Sequence, residues 1–196
     1  MKKGRIIAII SLALFIIILA SITLLSPIDN SVNNYISTIQ TPSLVQVSKI
    51  IGQIFEPINV IVFSLILALI LFVKKFKKES YLFVGAMFTG GVLEYLIKFL
   101  VGRARPENAL ISETLNSFPS GHALISLIFL GFLTYLILKN LKSETHKIIL
   151  AFVMIILILF IGASRLILNV HWLSDVLGGW LLGLGILLLG ISIKNQ

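Results

Sequence analysis

The chain has 196 residues, of which 58% are hydrophobic and only 12% charged, with a mean hydropathy of +1.07. Soluble domains carry about 25% charged residues, so too few charges are present to cover a water-facing surface, and the same figures exclude a disordered chain. The absence of cysteine excludes disulfides, thiolate metal sites and cysteine nucleophiles, and a net charge of +8 in so apolar a chain reads as a topology signal before a nucleic-acid one.

Six segments approach the roughly 20 apolar residues that a membrane helix requires. The first runs from Ile6 to Leu25 behind the basic start Lys2-Lys3-Arg5. Its apolar core exceeds the roughly 7–15 residues of a signal peptide and no A-x-A site follows, so a retained helix is expected. The region from Ser26 to Pro57 is expected outside, as a connecting loop or with a short interfacial helix over Val45 to Phe55. The second span is Ile58 to Val73, and the third is Tyr81 to Val101, which contains Glu94 and Lys98. The fourth is His122 to Leu138, the fifth Ile148 to Ile167 and the sixth Leu173 to Ile193. Six such spans leave no room for a soluble domain. The predicted fold is therefore an all-α six-transmembrane-helix bundle, one integral-membrane domain over residues 1–196 with a motif-bearing core at 81–193. Gly90-Gly91, Gly178-Gly179, Gly183 and Gly185 are expected to allow close helix packing.

The cations orient this bundle. Lys2, Lys3 and Arg5 precede the first span. Lys74, Lys75, Lys77 and Lys78 fall between the second and third, Lys139, Lys142 and Lys147 between the fourth and fifth, and Lys194 after the sixth. The positive-inside rule then puts both termini in the cytoplasm. Lys49, Lys98, Arg103, Arg105 and Arg165 are left in outward or intramembrane positions, where a basic residue is costly unless paired or hydrated. Lys49 and Arg103 read as rim charges. Glu94, four residues before Lys98, reads first as its helical ion-pair partner.

Three short segments collect the other polar residues at the expected outer face: Lys98 to Pro106, Phe118 to His122, and Ser164 to Asp175. Lys98, Arg105 and Arg165 suit a phosphate, the arginines as planar forks and the lysine as a point charge. Ser120 and Gly121 lie just before a helix, where free N–H groups and the helix dipole favour an anion. His171 and Asp175 are four apart, one face of a helix, so the carboxylate can fix the imidazole tautomer and free the other nitrogen to attack phosphorus. His122 then serves as general acid and later activates water. The three cations supply the positive charge, and the His/Asp spacing matches no common ligand set, so no metal and no other cofactor is expected.

These residues resemble the signature of the type 2 phosphatidic acid phosphatase superfamily, K-x6-R-P, then P-S-G-H, then S-R-x5-H-x3-D. The chain fits each fixed position with Lys98, Arg105 and Pro106, then Pro119, Ser120, Gly121 and His122, then Ser164, Arg165, His171 and Asp175. The order of the motifs and the six-helix topology are similar to the family's integral-membrane branch. The resemblance implies a metal-independent phosphatase with a phosphohistidine at His171, oriented by Asp175, and His122 as acid–base. It implies phosphate binding by Lys98, Arg105, Ser120, Gly121 and Arg165. It further implies kinship with vanadium-dependent haloperoxidases, whose vanadate sits where phosphate would.

The expected activity is hydrolysis of a membrane lipid phosphate or pyrophosphate at the outer face of a cell membrane, bacterial by the shortness of the loops. Phosphatidylglycerophosphate, undecaprenyl pyrophosphate and phosphatidate are the candidate substrates, and the partners are that lipid and the bilayer, not nucleic acid. The loop from Glu107 to Ser117 and the region from Ser26 to Pro57 are expected to shape headgroup choice. A lipid-dependent phosphotransferase is the alternative, because an acceptor other than water can resolve a phosphohistidine. A transporter is the third reading, disfavoured because paired broken helices and inverted repeats are absent from the sequence.

Overall fold

In the computed structural model, residues 2–194 are described. Met1, Asn195 and Gln196, which the expected domain includes, and the side chain of Lys194, one of the expected inner cations, lie outside the described residues. The described residues form helices and connecting segments, with no strand. The helices are α1 (Lys2–Ala20), α2 (Ile22–Ile39), α3 (Pro42–Ile54), α4 (Pro57–Val73), α5 (Lys77–Val101), α6 (Gly121–Asn140), α7 (Glu144–Ile167) and α8 (Leu173–Lys194).

Helices α1, α5, α6, α7 and α8 are long and apolar enough to cross a membrane. The sixth candidate is α4, 17 residues long, together with α3, from which it bends by 44°. Local sequence sets these breaks. Thr41 caps α3 by accepting from the Leu44 N–H at 3.2 Å, and Pro42 and Pro57 each sit in a first turn, where a missing N–H costs nothing. The predicted first span divides, because the helix is interrupted at Ser21 and continues as α2. The predicted loop from Ser26 to Pro57 is thus mostly helical, and the predicted helix over Val45 to Phe55 is α3. Proline 27 falls early in α2.

Burial sorts the bundle. About half of the apolar stretch of α6 and of α8 is buried, against 17% of that of α1, α5 and α7. The outer helices leave large apolar side chains such as Phe99, Ile148 and Phe152 uncovered, as lipid contact requires. The α6–α8 contact is a backbone approach. A Cβ on Gly179 would lie 2.6 Å from the Ser120 carbonyl, and one on Gly183 2.9 Å from the Leu124 carbonyl. Gly91 differs from this expectation, since a Cβ there meets nothing within 4 Å. α1 lies along α8, with the Ser11 hydroxyl donating to the Leu181 carbonyl at 2.7 Å. Phe15 of α1 stacks on Phe118 at 5.8 Å between centroids. This packing fixes the starts of α6 and α8 side by side, and the Ser120 N–H donates to the Asp175 carbonyl at 3.0 Å.

Candidate active site

The three polar segments meet where α5 ends and α6 and α8 begin. α5 stops at Gly102, whose positive φ of 61° closes the helix with an N–H bond to the Lys98 carbonyl at 3.1 Å. The chain then runs through residues 103–120 back to the bundle. Lys98, 4% exposed, donates to the Asn116 carbonyl at 2.7 Å, and the Asn116 side-chain amide returns a bond to the Lys98 carbonyl at 3.0 Å. Glu94 stands 3.8 Å from the Lys98 ammonium, as the helical spacing predicts.

His171 is not on a helix, as its spacing to Asp175 suggests, but in the turn before α8. Its Nδ1 faces Asp175 Oδ2 at 3.4 Å, and its Nε2 faces Arg105 Nη1 at 3.3 Å. A guanidinium can only donate, so Nε2 is the unprotonated nitrogen and the ring proton sits on Nδ1, toward the carboxylate. Burial is the main cause holding the imidazole down at about 3, with Asp175 opposing. It is therefore a neutral ring throughout the physiological range. Burial likewise lowers Arg105, with Glu113 and Asp175 opposing, and the guanidinium remains cationic.

Asp175 is fully buried and heavily engaged. Its Oδ2 also accepts from the Ser117 hydroxyl and, at 2.9 Å, from the Trp172 N–H. Its Oδ1 accepts from Arg103 at 2.6 Å. Arg103 is thus not a rim charge. Its second nitrogen pairs with Asp29 of α2 at 2.6 Å, and its guanidinium lies 5.6 Å from the Trp172 ring centroid. Desolvation explains the difference, because a guanidinium drawn this far inside must meet carboxylates, and two converge on it.

His122, in the first turn of α6, directs Nε2 at the Gly52 carbonyl of α3 at 3.1 Å. A carbonyl only accepts, so this nitrogen carries a proton. Arg165 is 1% exposed; its Nη2 pairs with Glu113, while its Nε has no partner. Glu113 reaches Arg105 as well, at 3.8 Å, so one loop carboxylate stands between the two arginines. The Ser120 hydroxyl is fully buried without a hydrogen-bond partner. Gly121 admits the Glu94 carboxylate, which lies where a Cβ would otherwise project.

A cavity of about 250 Å³ is lined by Lys98, Arg105, Gly121, His122 and His171. A second, of about 300 Å³, shares His122 and Glu113 and adds Lys49 and Arg165. The structure thus brings seven of the eight sequence-predicted site residues to two adjoining cavities or, for Asp175, directly behind one. The eighth, Ser120, precedes Gly121 at the wall.

Residues 79–196 match the PAP2 superfamily. The chain belongs to the PAP2 superfamily. Among its PAP2 relatives, phosphatidylglycerophosphatase B of Bacillus subtilis (strain 168) is 35% identical over 98 residues, 49% of this chain and 48% of the relative. The undecaprenyl-diphosphatase of Sulfolobus acidocaldarius is 33% identical over 135 residues, 65% of this chain and 61% of the relative. The chain therefore spans about half to three-fifths of the length of these curated relatives. A solved structure, that of a transmembrane PAP2-type phosphatidylglycerolphosphate phosphatase from Bacillus subtilis, superposes with a TM-score of 0.87 at 25% identity over 96% of both chains.

The PAP2 match includes all but the first two residues of α5, all of α6 to α8, and all eight predicted site residues. Asp29, Lys49 and Gly52 lie before it. Sequence reasoning set the loop from Glu107 to Ser117 and the region from Ser26 to Pro57 beside the headgroup, but singled out none of Asp29, Gly52, Glu113 and Ser117 within them.

Proposed function

We propose that this chain is an integral-membrane phosphatase that removes a phosphoryl group from a lipid phosphate or lipid pyrophosphate through a phosphohistidine on His171. The observation that supports this most is the ring of His171. Its unprotonated Nε2 faces a cationic cavity while Nδ1 faces a buried carboxylate. That is the arrangement in-line attack on phosphorus requires.

Lys98, Arg105 and Arg165 bind the phosphoryl oxygens, with the Ser120 hydroxyl and the free N–H groups at the start of α6. Arg105 leaves the imidazole lone pair for the phosphate, and Glu113 gives up the two arginines. The Nε2 lone pair of His171 then forms the P–N bond as the P–O bond to the lipid breaks. The lipid oxygen takes its proton from Nε2 of His122, which releases the Gly52 carbonyl. His122 enters this step with a proton on each ring nitrogen, so the transfer leaves it a neutral imidazole. In the second step His122 accepts a proton from water, the hydroxide oxygen bonds to phosphorus, and the P–N bond breaks to return neutral His171. No metal takes part, because the cations neutralise the developing charge.

The names of the relatives support phosphatidylglycerophosphate and undecaprenyl pyrophosphate as first substrates to test, with phosphatidate as the simpler third. The distribution of lysines supports both termini in the cytoplasm and the site at the extracytoplasmic face of the cell membrane. The whole chain 1–196 acts as one domain.

Purified protein in detergent is expected to release phosphate from at least one of the three lipids in excess EDTA, and vanadate is expected to inhibit. Release that EDTA abolishes would overturn the metal-free mechanism. Sidedness has its own test. The natural chain has no cysteine, so Ser112→Cys supplies a single thiol in the loop beside the cavity. It should react with a membrane-impermeant maleimide added to whole cells; labelling only after permeabilisation would reverse the orientation.

A further inference from the structure

One buried carboxylate has no part in the reaction above. Asp29 of α2 is 2% exposed and lies against the start of α8. Its Oδ2 accepts from Arg103 Nη2 and from the Ser174 hydroxyl, both at 2.6 Å. Its Oδ1 accepts from the Ser174 backbone N–H at 2.9 Å. That N–H belongs to the first turn of α8, where donors have no partner within the helix. Asp29 is thus a cap supplied by another helix, one residue from Asp175.

Arg103 completes the link. Its Nη1 donates to Asp175 Oδ1 at 2.6 Å and to the Ser174 hydroxyl at 2.7 Å. With Oδ1 held there, Oδ2 is the oxygen left to face His171. Charge gives a second reason for Asp29. Arg103 and Asp175 alone would sum to zero and present little net field to the imidazole. When His171 is phosphorylated at Nε2 and keeps its proton on Nδ1, the ring is positive, and a neutral pair would do little to stabilise it. Asp29 returns the three-residue group to one negative charge, in an interior where charges act strongly.

We propose that Asp29 is a positioning residue of this site: through Arg103 it aims the Asp175 carboxylate at His171 and keeps the Asp29–Arg103–Asp175 group negative while His171 carries the phosphoryl group. The proposal rests on the phosphatase reading above and is tested so that the two fail separately. A wild-type protein that releases no phosphate from any lipid removes the phosphatase reading. Given wild-type turnover, Asp29→Asn keeps the shape and an acceptor oxygen but loses the charge. It is expected to lower kcat about tenfold while KM and vanadate inhibition stay within about twofold. Arg103→Met is expected to lower kcat by at least as much. Adding Asp29→Asn to it should cost no more than about a further twofold, because Asp29 acts through Arg103. A carboxylate that only anchors α2 would leave kcat per folded molecule unchanged, or its effect would multiply with that of Arg103→Met. Either result overturns the proposal. So does an Arg103→Met chain with wild-type kcat, a measurement that stands even where the α2 variant does not fold.

Discussion

The helices before residue 74 and those after residue 76 reach the cavity with different kinds of groups. α5 to α8 and the segments between them bring Lys98, Arg105, His122, Arg165, His171 and Asp175. The earlier helices bring the Gly52 carbonyl to His122, Asp29 to Arg103, and Lys49 to the rim of the second cavity. One half holds groups that can bind or transfer a phosphoryl group, and the other holds groups that press on them from behind. Reactive groups are costly to move, since each needs its own atom at one distance from phosphorus. A supporting carbonyl or carboxylate can come from any element that packs nearby. Loss of function should therefore scale with which half is altered, and some losses should cross between the halves.

The largest effect is expected from His171→Ala, which should reduce phosphate release by about a thousandfold or more while the protein stays folded. Turnover retained by a folded variant would place the nucleophile elsewhere. Arg165→Met comes next, at about a hundredfold in kcat/KM, the scale of one lost donor to a developing charge. The same assay then crosses between the halves. A Cβ on Gly52 would lie 2.5 Å from Arg165 Nη1, and that guanidinium has almost no free surface into which to retreat. Gly52→Ala is therefore expected to cost about tenfold in kcat/KM, displacing one donor without removing it. In an Arg165→Met background the added cost should vanish. If it persists in full, the early helices act on the site by some route other than Arg165.

Two smaller effects concern stability. Gly179→Ala presses a methyl onto the Ser120 carbonyl and the Ala123 side chain, atoms with little freedom to move. About 1–3 kcal/mol of destabilisation is expected by denaturant or thermal unfolding. Gly91→Ala, in open space, should be neutral or slightly stabilising. Equal losses in both would show that the α6–α8 approach is not the tight one. The smallest effect comes from pH. Burial holds His171 at about 3, against 6.5 for a free imidazole. Between those values the unfolded chain binds a proton that the folded chain does not, so stability falls as pH falls through that window. About 1 kcal/mol should be lost between roughly pH 7 and 5.5. His171→Asn should flatten that part of the slope, and an unchanged slope would mean that the imidazole is not held neutral.

Much of this was readable because membranes constrain sequences severely. Long apolar runs separated by lysines report spans, and polar residues surviving near a membrane face report a site. Breaks within the apolar runs were harder to place. The interruption at Ser21 has no strong sequence mark, and α2 and α3 are amphipathic helices in a stretch whose prolines suggested a loop. Arg103 misled for a related reason. From the sequence, its partner could have been a headgroup or water, and nothing along the chain connects it to Asp29, more than seventy residues away.

From residue type and local spacing alone the chain could be read as a helical membrane protein, most of its apolar spans could be placed, and eight residues could be put forward for phosphate chemistry. Which nitrogen of His171 is free, what His122 touches, why Arg103 is buried, and that Glu113 stands between two arginines emerge only from the folded chain. Those facts depend on the direction of side chains from separate helices. Close packing of α6 on α8, and of the early helices around both, sets those directions, and no local pattern encodes them.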